Sequence, residues 1–112
     1  MRKIERDLIS GRTNYNIYED TGMGAHPDTD LATRQTRQEQ WSILPDDPLS
    51  MQGTCEWMTF MERGDWKLKT IATAQMTCTE KLWIVSARLQ AFEGEALIFE
   101  KDYHKEMARN QM

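Results

Sequence analysis

The chain is short of the residues on which most catalytic and targeting signals depend. Two cysteines and two histidines are its whole supply of thiol and imidazole ligands. Cys55 and Cys78 form no C-x-x-C pair, and neither His26 nor His104 has a neighbour at metal-ligand spacing, so no metal and no cofactor is expected. No apolar run approaches the roughly 18 residues of a membrane-spanning helix. Met1-Arg2-Lys3-Ile4-Glu5-Arg6-Asp7 is basic with no apolar stretch behind it, which is not a secretory signal. Two reduced thiols in a cytoplasm follow as the expectation. Basic charge is also scarce: 14 Lys and Arg stand against 18 Asp and Glu, a formal net charge of -4. Phosphate-backbone binding needs clustered cations, so nucleic acid is not an expected partner. There is no G-x-S-x-G elbow, no P-loop and no G-x-G-x-x-G, and neither a repeat nor a low-complexity tract.

What the chain has is alternation. Cys55, Trp57, Thr59 and Met61 fall on one side of a strand, with Glu56, Met58, Phe60 and Glu62 on the other. After Arg63-Gly64-Asp65, a hairpin-type turn, Trp66, Leu68, Thr70, Ala72, Ala74 and Met76 share a face. That period of two over a dozen residues is the clearest strand signal in the chain. Thr79-Glu80 marks the next turn. Trp83, Val85, Ala87, Leu89 and Ala91 form a further face, Glu93-Gly94-Glu95 a second Gly turn, and Leu97, Phe99 and Tyr103 a last one. Upstream, Thr13–Tyr18 reads as a first strand and Asp20–Asp28 as a Gly/Pro/Asp loop, followed by a polar strand from Thr33 to Leu44 with Trp41 and Ile43 on one face. Residues 1–10 fit a short helix or a frayed lead-in. The expected fold is all-β: a coiled antiparallel meander of about five to six long strands, half-barrel, open-barrel or sandwich-like. It is one domain over 1–112, with a lead-in strand and loop at 1–30, the meander at 31–104 and a loose polar tail at 105–112.

The chemistry-bearing residues are few. Asp46 and Asp47 are adjacent carboxylates, a pair that can run acid–base chemistry when its two environments differ. Their place between Pro45 and Pro48 favours a turn instead, with Asp46, Asp47, Pro48, Gly64 and Gly94 all structural. An enzyme using Asp46, Asp47, His26 or His104 ranks last, because these four show no mutual spacing logic. Eight methionines and four tryptophans are many for 112 residues. They either fill a core or make an adhesive face. Trp41, Trp57, Trp66, Trp83, Phe60, Phe99 and Tyr103 are candidates for the wall of a cavity inside a curled sheet. Met58, Phe60, Ile71, Leu82 and Ile84 are apolar residues on the less apolar sides of their strands. A strand apolar on both sides is not satisfied by a one-layer domain, so these positions point to a partner layer.

A series of segments resembles the extreme C-terminal part of some long bacterial α/β-hydrolases, the cocaine-esterase and Xaa-Pro dipeptidyl-peptidase-like acyl hydrolases. The segments are Asp7-Leu8-Ile9-Ser10-Gly11-Arg12, Glu19-Asp20-Thr21-Gly22, Glu39-Gln40-Trp41-Ser42-Ile43, Asp46-Asp47-Pro48-Leu49-Ser50, Arg63-Gly64-Asp65-Trp66, Ala87-Arg88-Leu89-Gln90-Ala91-Phe92-Glu93-Gly94-Glu95 and Phe99-Glu100. Together they cover nearly the whole chain. The resemblance implies a β-rich non-catalytic segment whose Ser-His-Asp triad lies in a separate upstream domain, so no catalytic residue is carried over. It implies either a stand-alone relative of that accessory segment or a piece of a larger gene.

Three functions follow. The first is a non-catalytic accessory or interaction domain, packing its sheet on a copy of itself or on a hydrolase core. The second is a small apolar-ligand module with a pocket inside the curled sheet. The enzyme reading is the third.

Overall fold

Four tight hairpins set the architecture. In the computed structural model, whose residues 1–109 are described here, the chain forms strands β1 (Arg2–Arg6), β2 (Thr13–Asp20), β3 (Gly24–His26), β4 (Leu31–Leu44), β5 (Asp47–Arg63), β6 (Trp66–Cys78), β7 (Leu82–Glu93) and β8 (Ala96–Ala108). All pairings are antiparallel and make one sheet in the order β1-β2-β4-β5-β6-β7-β8, with β3 paired to β4. The sheet is not closed into a barrel. The five long strands of the meander include every long strand expected after Leu31, but β5 begins at Asp47 and not at Thr54.

The turns explain the register. Gly64 and Gly94 have φ of 56° and 59° and each opens a two-residue loop, between Arg63 and Trp66 and between Glu93 and Ala96. Glycine with positive φ at the first loop position is the type II′ pattern, whose twist matches that of the flanking strands. The Pro45-Asp46 loop differs. Pro45 occupies the first position and Asp46 takes φ of 60°, the signs of a type II turn, which splays a hairpin. The β4–β5 register is irregular there, between Ser42 and Leu44. The Ser50 hydroxyl closes the gap, donating to the Asp47 carbonyl at 2.6 Å and accepting from the Leu44 amide at 2.8 Å.

The ends depart from expectation. Residues 2–6 are strand, not helix. One weakly amphipathic ten-residue helix is marginal in water, whereas pairing with β2 bonds the backbone and sets Ile4 beside Tyr15. Within the Gly/Pro loop, Gly24–His26 pairs with Leu31–Thr33, so β2 and β3 lie end to end along β4. Lys105 to Ala108, expected to be loose, continue β8 against Leu82–Val85. Residues 110–112 of the expected tail lie outside the described residues. Leu97 does not share the face of Phe99 and Tyr103. A shift between Ala91 and Phe92 leaves Ile98 unpaired and sets Leu97 opposite Phe92.

Among the described residues the sheet has no second layer over either face. Of their large apolar side chains only Ile17 and Cys78 are buried, at 8% and 9% exposure, and none is fully buried.

Candidate interaction surface

The register sorts every side chain onto one of two faces. On the first face, successive cross-strand rows run Glu19–Arg37–Trp57–Ala72–Leu89–Lys101, then Ile17–Glu39–Cys55–Ala74–Ala87–Tyr103, then Tyr15–Trp41–Gly53–Met76–Val85–Lys105. Trp66, Trp83 and Phe99 share this face. All four tryptophans therefore stand on one side of one sheet, and Trp41, Trp57 and Trp66 are 38%, 37% and 46% exposed. The apolar centre has relief. A depression of about 230 Å³ lies over Ala72, Ala74 and Ala87, between Trp57, Leu89 and Tyr103.

Charge on this face is either neutralised or at the margin. The Arg37 Nη2 is 2.9 Å from Glu19, its Nε is 3.9 Å from Glu39, and its guanidinium lies 5.5 Å from the Trp57 ring centroid. Lys101 and Lys105 stand on the edge strand β8, and the Lys101 ammonium is 5.0 Å from the Tyr103 ring. Burial pushes the Cys55 thiol above its usual range, and the nearby Glu39 charge adds to the effect. Cys55 pairs with Ala74 and Cys78 with Trp83, and both thiols are free.

The second face is polar across its middle. Its rows run Asn16–Gln40–Thr54–Gln75–Ser86–His104 and Tyr18–Gln38–Glu56–Thr73–Arg88–Asp102, and they floor an open trough of about 730 Å³. Met58, Phe60 and Ile71 gather at one end of this face, where Arg34 and Lys69 cover Phe60 and Phe92 at 5.8 and 4.7 Å. Leu82 and Ile84 lie at the other end, opposite Ala108 and Glu106. The structure thus sets Trp41, Trp57, Trp66, Trp83 and Phe99 of the ten residues singled out on one face, with Trp66 and Trp83 at opposite ends of it. It sends the other five to the opposite face, in two separate groups. The apolar relief comes from Ala72, Ala74 and Ala87, which alternation placed on the tryptophan face but size alone did not recommend.

Some chemistry meets on the polar face that the sequence did not join. The Ser86 hydroxyl is 3.1 Å from His104 Nδ1, and His104 Nε2 is 3.5 Å from Glu106. Ser86 and His104 are cross-strand partners in open solvent, and β7 is paired on both sides. Its amides are engaged in the ladders, so no pair of free N–H groups is set to hold an oxyanion beside the serine. The arrangement is that of a cross-strand hydrogen bond. Arg88 holds Asp102 in the same way at 2.7 Å and keeps its carboxyl below the usual range. His26 lies on β3, beyond β4 and far from His104 in strand order. Asp46 is exposed in the two-residue turn, whereas Asp47 and Pro48, expected in that turn, are the exposed first residues of β5. Among the described residues no group of three or more His, Cys, Asp or Glu side chains is placed to hold a metal, and no helix is long and apolar enough to cross a membrane. No family model, curated protein or solved structure matches the chain.

Proposed function

We propose that the protein is a non-catalytic interaction domain whose working surface is the tryptophan face of the sheet. One observation carries this: an eight-stranded sheet with four tryptophans on one side and, among the described residues, no second layer over them. Exposed apolar area of this extent marks a surface that a partner covers. The resemblance to the C-terminal segment of cocaine-esterase-like hydrolases supports an accessory role, because that segment works beside a catalytic domain and holds no triad residue. On that reading the covering layer is a hydrolase core or another copy of the chain. The register keeps Cys55 and Cys78 apart, which fits two reduced thiols in a bacterial cytoplasm. A ligand module is the weaker reading. The larger trough lies on the polar face, away from the aromatics, and the apolar depression is shallow and open.

The test places a charge on each face in turn. The wild-type chain is expected either to self-associate or to bind an apolar fluorescent dye. Leu89→Glu, in the middle of the tryptophan face, removes both properties, and Gln75→Glu on the polar face removes neither. A wild-type chain that is monomeric and leaves the dye dark overturns the reading, as does ester hydrolysis that disappears in His104→Ala.

A further inference from the structure

Resting on that reading, we infer that the partner is a second copy of this chain, docked tryptophan face to tryptophan face about a two-fold axis running along the strands between β5 and β6. Three observations converge on it.

The first is area. The chain exposes 8168 Å², against about 6,400 Å² for a folded chain of 13.2 kDa by the usual surface–mass scaling. The excess of roughly 1,700 Å² is what one protomer contributes to an obligate homodimer interface, which buries about 2,000–5,000 Å² in total.

The second is shape. A two-fold axis between β5 and β6 lays each cross-strand row of one copy over the reversed row of the other. Trp57 of each copy then comes over Ala72 of its mate, where the depression of about 230 Å³ lies. Knob and hole sit on the same face one strand apart, the condition for an isologous contact.

The third is charge. The same operation sets Glu19 at one end of the row over Lys101 at the other end. A two-fold axis across the strands instead, through the Cys55–Ala74–Tyr103 row, stacks Lys101 on Lys105 of the mate and loses the Trp57–Ala72 fit. The charge pattern therefore selects the axis along the strands. Two such sheets pack about 10 Å apart with strand directions within about 30° of each other. The polar faces are left on the outside of the sandwich.

The experiment is light scattering after size exclusion, with circular dichroism on every variant. The wild type is expected at twice 13.2 kDa. Ala72→Trp fills the hole and weakens the dimer by roughly tenfold or more, as a blocked central pocket should. Trp57→Ala in the same chain as Ala72→Trp exchanges knob and hole and restores it. Lys101→Glu, on the exposed edge strand, is the second variant should Ala72→Trp fail to fold, and it weakens the dimer in the same assay. A wild-type monomer that binds apolar dye overturns the second copy but leaves the adhesive face standing. A wild-type monomer dark to the dye removes both. A dimer indifferent to Ala72→Trp and to Lys101→Glu is built on another surface and also overturns the proposal.

Discussion

At the scale of single residues, two contacts show how a sheet without a core still specifies its geometry. Gly53 is buried beneath its cross-strand neighbour Trp41, and a Cβ placed there would run into the indole ring. The glycine lets the ring lie flat on the strand, and the ring covers the backbone that the glycine leaves bare. Gly53→Val is therefore expected to destabilise the fold by about 1–3 kcal/mol, the range of overpacking. In a Trp41→Ala background the same change should cost markedly less, and urea unfolding of the four chains measures that coupling. The second contact is Asp20, which Arg34 grips through two hydrogen bonds at 3.0 and 2.6 Å while the Gly22 amide donates at 2.8 Å. Arg34 is the chief reason the Asp20 carboxyl is lowered from 3.8 to about 2. A depressed carboxyl stabilises the fold above its ordinary pKa and loses that effect as pH falls through the folded value. The loss here belongs to the window from about pH 4 down to about pH 2. Arg34→Ala should return the Asp20 titration toward 3.8, read by carboxyl-carbon NMR, and a midpoint still near 2 would assign the effect to Gly22. Neither contact is legible in the sequence, because both depend on which strands pair and in what register. Ser86 and His104, 18 residues apart, became neighbours for the same reason.

At the scale of elements, the sequence was most informative where one face alternates without interruption. β6 and β7 follow their period-two patterns, and Gly64 and Gly94 mark their hairpins. The sequence was least informative where pairing overrides a weak local pattern. The first strand borrows its stability from β2, and residues 105–108 remain extended because β7 offers them a ladder. At Ile98 an unpaired residue takes Leu97 out of step with Phe99, something no reading of alternation anticipates. The turn glycines give a clean measurement. Beyond its two chain neighbours no atom lies within 4 Å of a Cβ built on Gly94, so Gly94→Ala tests backbone conformation alone. Holding alanine at a φ of 59° should cost about 1–3 kcal/mol, with the β7–β8 register unchanged by amide NMR. A much smaller loss would mean that the loop relaxes to another turn type. The edge strand β8 is exposed over its full length. Its free backbone groups are screened by Lys101, Lys105 and the Ile98 bulge, devices that discourage edge pairing.

The whole molecule is where local correctness and global insufficiency part. Every strand is paired, yet the Cα radius of gyration is 18.0 Å, against about 13 Å for a compact domain of this length. A one-layer sheet buries apolar area only between neighbouring side chains of its own face, so the hydrophobic term that offsets chain entropy is incomplete until a second layer arrives. On the proposed dimer, association and folding are one equilibrium, and stability depends on concentration. The thermal midpoint of the wild-type chain is expected to rise steadily as protein concentration is raised. Leu89→Glu, which puts a carboxylate in the middle of the tryptophan face, should lower the midpoint at every concentration and flatten its dependence. Gln75→Glu, on the polar face, should leave the concentration dependence as it is in the wild type. A midpoint independent of concentration, together with a monomer mass, would mean that the sheet stands alone despite its bare face. The stabilising term would then have to lie within the strands themselves, in pairs such as Gly53–Trp41 and Asp20–Arg34, rather than between two sheets.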